Sequence, residues 1–223
     1  MKQSTVKIKS IQHLNHNVLQ IVTEKPQEYT FTPGQATEIS INKSGWEDKK
    51  RPFTFTSLPD SDFLEFTIKT YPDHKGVTNQ LLKLKDEDEL ILHKIFGTID
   101  YKEEGVFIAG GAGVTPFISI IKNLHSKNKT GTNKLICANK TKKDIFLASE
   151  LKKILGANLI SILSDEKKLG HAHGFITKEF LESHIPQSVK NIYICGPPPM
   201  MDKMNTHLDY LKIDKNIIIT EEF

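Results

Sequence analysis

The chain has 223 residues, 38% hydrophobic and 26% charged, with a formal net charge of +3. That length builds one large core or two small ones, and an ordinary apolar content without low-complexity tracts excludes extended disorder. The mild positive balance forms no basic stripe, and no run is apolar and long enough for a signal peptide or a bilayer span, so neither nucleic acid nor membrane is an expected partner.

The first hundred residues carry short strand signals separated by turns. Val6 and Ile8, then Val18, Leu19, Ile21 and Val22, form two β-rich runs. Ala36–Ile41 alternates after Pro33-Gly34, and Phe53 and Phe55 alternate with threonines. Leu64, Phe66 and Ile68 point one way while Glu65, Thr67 and Lys69 point the other. A short helix is expected from Val77 to Leu84, opened by Gly76, and Leu90–Leu92 gives a further strand. Short strands with one helical plug predict a small antiparallel barrel over residues 1–101.

After Tyr101 the pattern changes. Apolar runs Val106–Ala109, Leu135–Ala138, Leu159–Leu163, Ile192–Cys195 and Ile217–Ile219 alternate with helical segments Pro116–His125, Asp144–Leu155, Thr177–His184 and Pro199–Leu211. In the first helix Phe117, Ile120, Ile121 and Leu124 hold the spacing of one buried face. Such alternation predicts a parallel sheet covered on both faces, an α/β domain over residues 102–223.

Val106–Ala109 runs into Gly110-Gly111-Ala112-Gly113-Val114-Thr115-Pro116. Glycines permit a tight turn and close approach to a ligand; Thr115 is a candidate cap and Pro116 suits a first helical turn. A helix N-terminus facing this turn offers N–H groups to a pyrophosphate. A bare strand-to-helix connection is the plainer alternative. Ile192–Cys195 similarly enters Gly196-Pro197-Pro198-Pro199-Met200 at another strand end. There Cys195, taken alone, reads as a small buried thiol. No acidic residue stands about twenty positions past the glycines, which counts against a plain Rossmann dehydrogenase. The two cysteines, Cys137 and Cys195, supply no cluster or zinc ligand set and fit a reduced, cytoplasmic setting. His171 and His173 lack a third ligand nearby, so no metal is expected.

The run Arg51-Pro52-Phe53-Thr54-Phe55-Thr56-Ser57 resembles the flavin motif of the ferredoxin–NADP reductase family, Arg-x-Tyr-Ser in a barrel strand. Lys69-Thr70-Tyr71 with Gly76-Val77-Thr78-Asn79-Gln80-Leu81 resembles that family's phosphate-binding segment. Gly111–Pro116 and Cys195–Met200 are similar to its two nicotinamide-dinucleotide segments, and Glu221-Glu222-Phe223 is similar to the end of many members. Four segments in the family's order are more specific than any one of them.

The resemblance implies a barrel that binds FAD, with FMN less favoured, and an α/β domain that takes NADH or NADPH as co-substrate. It implies that Arg51 pairs with a flavin phosphate, Phe53 stacks on the isoalloxazine, and the Thr54 hydroxyl reaches flavin N5. Pro52 accompanies them, and Lys69, Tyr71, Gly76, Val77 and Thr78 line the phosphates. Gly111, Gly113, Val114, Thr115, Pro116, Gly196, Pro197 and Met200 hold the dinucleotide. Thr54, Cys195 and Glu222 are the expected catalytic residues, and Phe223 covers the flavin. Phe53 departs from the usual tyrosine and Thr54 from serine; Ser164-Asp165 stands where some members read a 2′-phosphate, and its carboxylate favours NADH. The implied activity passes electrons from NAD(P)H through FAD to a one-electron carrier such as flavodoxin or ferredoxin. The alternatives are a reductase of free flavin or small oxidants, and a non-catalytic electron-delivery subunit or nucleotide sensor.

Overall fold

The computed structural model describes residues 3–221. Its first half is a six-stranded antiparallel sheet of β1 (Ser4–Asn15), β2 (Val18–Glu24), β3 (Ala36–Ile41), β4 (Arg51–Thr54), β5 (Phe63–Lys69) and β6 (Glu89–Phe96). The order is β4-β3-β6-β1-β2-β5. The two edge strands meet where Phe55 bridges Phe66 and the Thr56 amide donates to the Glu65 carbonyl at 2.8 Å, which closes the barrel.

Alternation fills the barrel. Ile8, Ile21, Ile39, Leu64, Phe66, Leu90 and Leu92 are fully enclosed, and Phe55 stacks on Phe31 at 4.1 Å. Helix α1 (Val77–Leu81) plugs one end with Val77 and Leu81. It is shorter than the sequence suggests. Its expected last turn tightens into i→i+3 bonds through Leu84. β1 is longer than its apolar residues predict, because its polar second half is held by hairpin pairing with β2 across two register breaks.

The second half is a parallel sheet of β7 (Gly105–Gly110), β8 (Lys134–Asn139), β9 (Leu159–Leu163), β10 (Ala172–His173), β11 (Asn191–Cys195) and β12 (Ile218–Thr220). Its order is β10-β9-β8-β7-β11-β12. Helices α2 (Thr115–Ser126) and α3 (Ala148–Leu155) cover the face that carries Phe107, Ala109 and Tyr193. Helices α4 (Lys178–His184) and α5 (Pro198–Tyr210) cover the face that carries Val106, Ile108 and Ile194. The barrel's Leu14 and Val18 join the α2–α3 side, so the two halves share that core.

Two local expectations are corrected. Thr115 does not cap α2; it is the first helical residue, and its hydroxyl donates back to the Ala112 carbonyl at 3.0 Å. The segment before α3 does not continue that helix. Thr141 and Asp144 form a capping box around a separate short turn, and Leu147 sits at φ +53, which breaks the helical path.

Phe55 touches Tyr29, Phe31 and Phe66 at the seam that closes the barrel. Phe55→Ala is expected to lower the unfolding free energy by about 3–5 kcal/mol, measured by urea titration.

Candidate functional site

The strand order fixes where a ligand can sit. From β7 the chain runs outward through β8, β9 and β10, then returns to the other side of β7 as β11 and β12. The crevice beyond the carboxyl ends of β7 and β11 is therefore the switch point of the sheet. Both glycine segments lie there. A Cβ on Gly113 would run into the carbonyl oxygen of Cys195, so glycine alone lets the turn close on β11. Gly111 has the opposite setting. It adopts φ +54 and faces open space, with the Lys69 ammonium 4.0 Å from where a Cβ would stand. Both glycines belong to a short 3₁₀ turn that runs directly into α2, and no side chain caps α2, which leaves its N-terminal end available to an anion.

Lys69 thus brings the end of barrel strand β5 to the glycine turn. Asp144 and His16 flank the same seam, with 3.6 Å between the His16 ring and the Asp144 carboxylate. Burial pushes Asp144 upward, but hydrogen bonds from the Thr141 hydroxyl and amide, with the charges of Lys69 and His16, hold it below the usual carboxylate range.

On the β11 side Cys195 is buried, and its thiol is pushed up to about 12 by burial and secondarily by the charge of Glu221. One carboxylate oxygen of Glu221 accepts the Thr98 amide at 3.1 Å; the other has no partner among the described residues. Burial raises the Glu221 pKa. Sequence reasoning chose Glu222 and Phe223, which lie outside the described residues, and passed over Glu221. The signal available was position, since Glu221 directly follows the strand that pairs with β11.

The remaining residues occupy separate edges. Arg51 is exposed at the start of β4, and its guanidinium donates to the Lys50 carbonyl at 2.7 Å. Pro52 is exposed, Phe53 packs half-buried against the barrel core, and the buried Thr54 pairs with Ala36 across β3. Tyr71 is exposed beyond β5 and stacks on His74, while Gly76, Val77 and Thr78 open α1. Pro197 and Met200 lean over Gly110 beside Gly196. Ser164 and Asp165 follow β9, with amides donating to the Asn139 and Lys140 carbonyls; the Ser164 hydroxyl donates to Asp165 at 2.6 Å.

A cavity of about 330 Å³ extends from Gly111 and Val114 past Asn139 and Phe146 to Ser161 and His171. His171 and Ser161 share a hydrogen bond of 2.9 Å. No motif marks Ser161, and His171 stands out in the sequence only as a candidate metal ligand; the two meet because β10 pairs with β9 just beyond them. Among the described residues no group of His, Cys, Asp or Glu is placed to hold a metal, and no helix is long and apolar enough to cross a membrane.

Two family models match in order: an FAD-binding domain over residues 3–137 and an oxidoreductase NAD-binding domain over residues 107–206. The chain belongs to the ferredoxin–NADP reductase-like family. This chain is 27% identical over 220 residues to NADH-cytochrome b5 reductase 2 of Mycosarcoma maydis, covering 89% of the chain and 63% of that relative. It is 25% identical over 220 residues to the propane 2-monooxygenase reductase component of Mycolicibacterium goodii, covering 92% and 62%. The chain thus spans about three-fifths of the length of these curated relatives. Its fold matches a ferredoxin NADP+ reductase from Neisseria gonorrhoeae with bound FAD and NADP, at TM-score 0.85 and 18% identity, covering 99% of this chain and 98% of that one.

The raised Glu221 carboxyl has a consequence for stability. In the native state it keeps its proton above pH 4.5, where the unfolded carboxyl has released it. The contribution to stability is greatest below pH 4.5 and declines as pH rises through the raised native value. Glu221→Gln is expected to raise Tm at pH 7.5, with the gain vanishing below pH 4.5, as followed by differential scanning calorimetry.

Proposed function

We propose that this reductase oxidises NADH through bound FAD and passes electrons singly to a separate redox protein. The observation that carries this reading is the convergence of Lys69, Gly111 and Cys195 at the switch point of the sheet. The open Cα face of Gly111 and the uncapped end of α2 fit a pyrophosphate, and the exposed Arg51 beside a half-buried Phe53 fits the flavin's phosphate and ring. On this reading residues 1–101 hold the flavin and residues 102–223 the nucleotide.

FAD, when bound, would supply a ring that accepts one hydride with its electron pair and releases the electrons one at a time. The chain's part is to bind and orient. Arg51 neutralises a phosphate, Phe53 offers an aromatic face, and Thr54 presents its hydroxyl at the reacting edge. Gly76, Val77 and Thr78 approach the flavin phosphates with backbone groups. Gly111, Gly113, Val114, Thr115 and Pro116 receive the dinucleotide phosphates, while Gly196, Pro197 and Met200 wall the nicotinamide side. Cys195 stays a neutral thiol against that ring, and Glu221 keeps or releases a proton beside it. The exposed Asp165 carboxylate repels a 2′-phosphate, which favours NADH over NADPH.

The acceptor class is a one-electron protein carrier. The relatives widen the flavodoxin or ferredoxin expectation, since one is named for cytochrome b5 and another as the reductase component of a monooxygenase.

The purified chain with FAD is expected to show a flavin spectrum that bleaches anaerobically with NADH faster than with NADPH. Absence of flavin binding ends the reading. Arg51→Ala is expected to weaken FAD binding by about tenfold to a hundredfold, the worth of a charged hydrogen bond, in an equilibrium titration. Asp165→Ser is expected to bring the NADPH bleaching rate towards that of NADH in stopped-flow measurements.

A further inference from the structure

Helix α2 carries two polar side chains, three residues apart and so on one face, that leave its own domain for the barrel. Ser119 is fully buried, and its hydroxyl oxygen accepts the Gly34 amide at 3.0 Å. One turn on, the Lys122 ammonium lies 3.2 Å from one Glu65 oxygen and 3.4 Å from Glu150. The Lys122 and Glu65 side chains are 17% and 11% exposed.

Glu65 is itself tied to the strand segment that carries the flavin motif. The same oxygen that faces Lys122 accepts the Thr56 hydroxyl at 2.8 Å, and the other accepts the Gln20 amide at 2.9 Å. The Glu65 amide donates to the Ser57 hydroxyl at 3.1 Å, and the Thr56 and Thr67 hydroxyls meet at 3.2 Å. Thr56 and Ser57 follow Thr54 and Phe55 in the run that closes the barrel. A continuous set of polar contacts therefore runs from that run, through one carboxylate, to the helix whose first turn faces the nucleotide.

We infer that Lys122, with Ser119, is a positioning residue that fixes the angle and distance between the nucleotide turn and the flavin strand. This rests on the reading that the chain moves hydride from NADH to FAD. Lys122 lies seven residues beyond Thr115, about 10 Å along the helix at 1.5 Å per residue, and so stands well away from the glycine turn. Its lever is mechanical. A nearly enclosed ion pair contributes little net stability but holds its partners in one geometry, and losing one partner leaves the other poorly satisfied. Donor and acceptor placement governs transfer steeply, and a displacement of about 1 Å costs on the order of a hundredfold in rate.

The test uses the full chain, with Lys122→Met to keep the stem and remove the charge. With FAD bound, flavin bleaching at saturating NADH is expected to slow at least about tenfold, while the NADH dissociation constant changes by less than about threefold. Lys122→Arg is expected to recover most of the rate. Glu65→Gln is expected to reproduce the loss, and the double variant to be no slower than either single one. Without FAD, amide exchange at Gly34 is expected to accelerate in Lys122→Met while the β7 amides keep their protection. Wild-type bleaching in Lys122→Met, or a loss that Lys122→Arg does not restore and that tracks a fall in Tm, overturns the inference. If the wild-type chain takes up no FAD, the functional reading falls instead; Gly34 exchange then decides alone whether Lys122 seats the helix, and unchanged exchange rejects it.

Discussion

Helix α2 must satisfy two surfaces at once, and most of the structure follows from how it does so. Phe117, Ile120, Ile121 and Leu124 pack with Phe107, Ala109 and Tyr193 of the parallel sheet. Ile118 and Ser119 are equally buried, because the barrel lies against the remaining side. A helix enclosed this fully has little freedom to tilt. Its first turn, reached from β7 through Gly111 and Gly113, is consequently held in place by contacts made much farther along its length.

That double enclosure also marks what the sequence shows and what it conceals. The spacing of Phe117, Ile120, Ile121 and Leu124 identifies the face against the sheet, since that face obeys helical periodicity. Nothing local announces that Ser119 and Lys122 face a second domain, because a polar residue on a helix reads first as solvated. Glu65 is the complementary case. Alternation along β5 correctly separates it from Leu64, Phe66 and Ile68, yet its side is covered rather than wet. Long-range docking overrides the local pattern at both positions. The polar half of β1 escapes notice for a related reason, since hairpin partners supply its order without any apolar stripe.

The site divides in the same way. Its glycines are legible because steric need is local: Gly113 must be small where the turn meets Cys195, and Gly111 must take a left-handed backbone. Lys69, Tyr71 and Ser164-Asp165 are singled out only by resemblance to a family pattern. Glu221, Ser161 and His171 join their neighbours only through strand pairing across the sheet, and no spacing in the chain encodes it. The order of the second sheet, more than any one motif, is what gathers the dispersed segments into one crevice.

The state of the two thiols has a further consequence. Burial holds Cys137 and Cys195 at about 12. At neutral pH both therefore stay on the thiol side of their titration, and the thiolate is the form that peroxide attacks. A reduced flavin exposed to dioxygen generates peroxide at its own doorstep. Thiols held protonated in this way would react only slowly with peroxide released beside them.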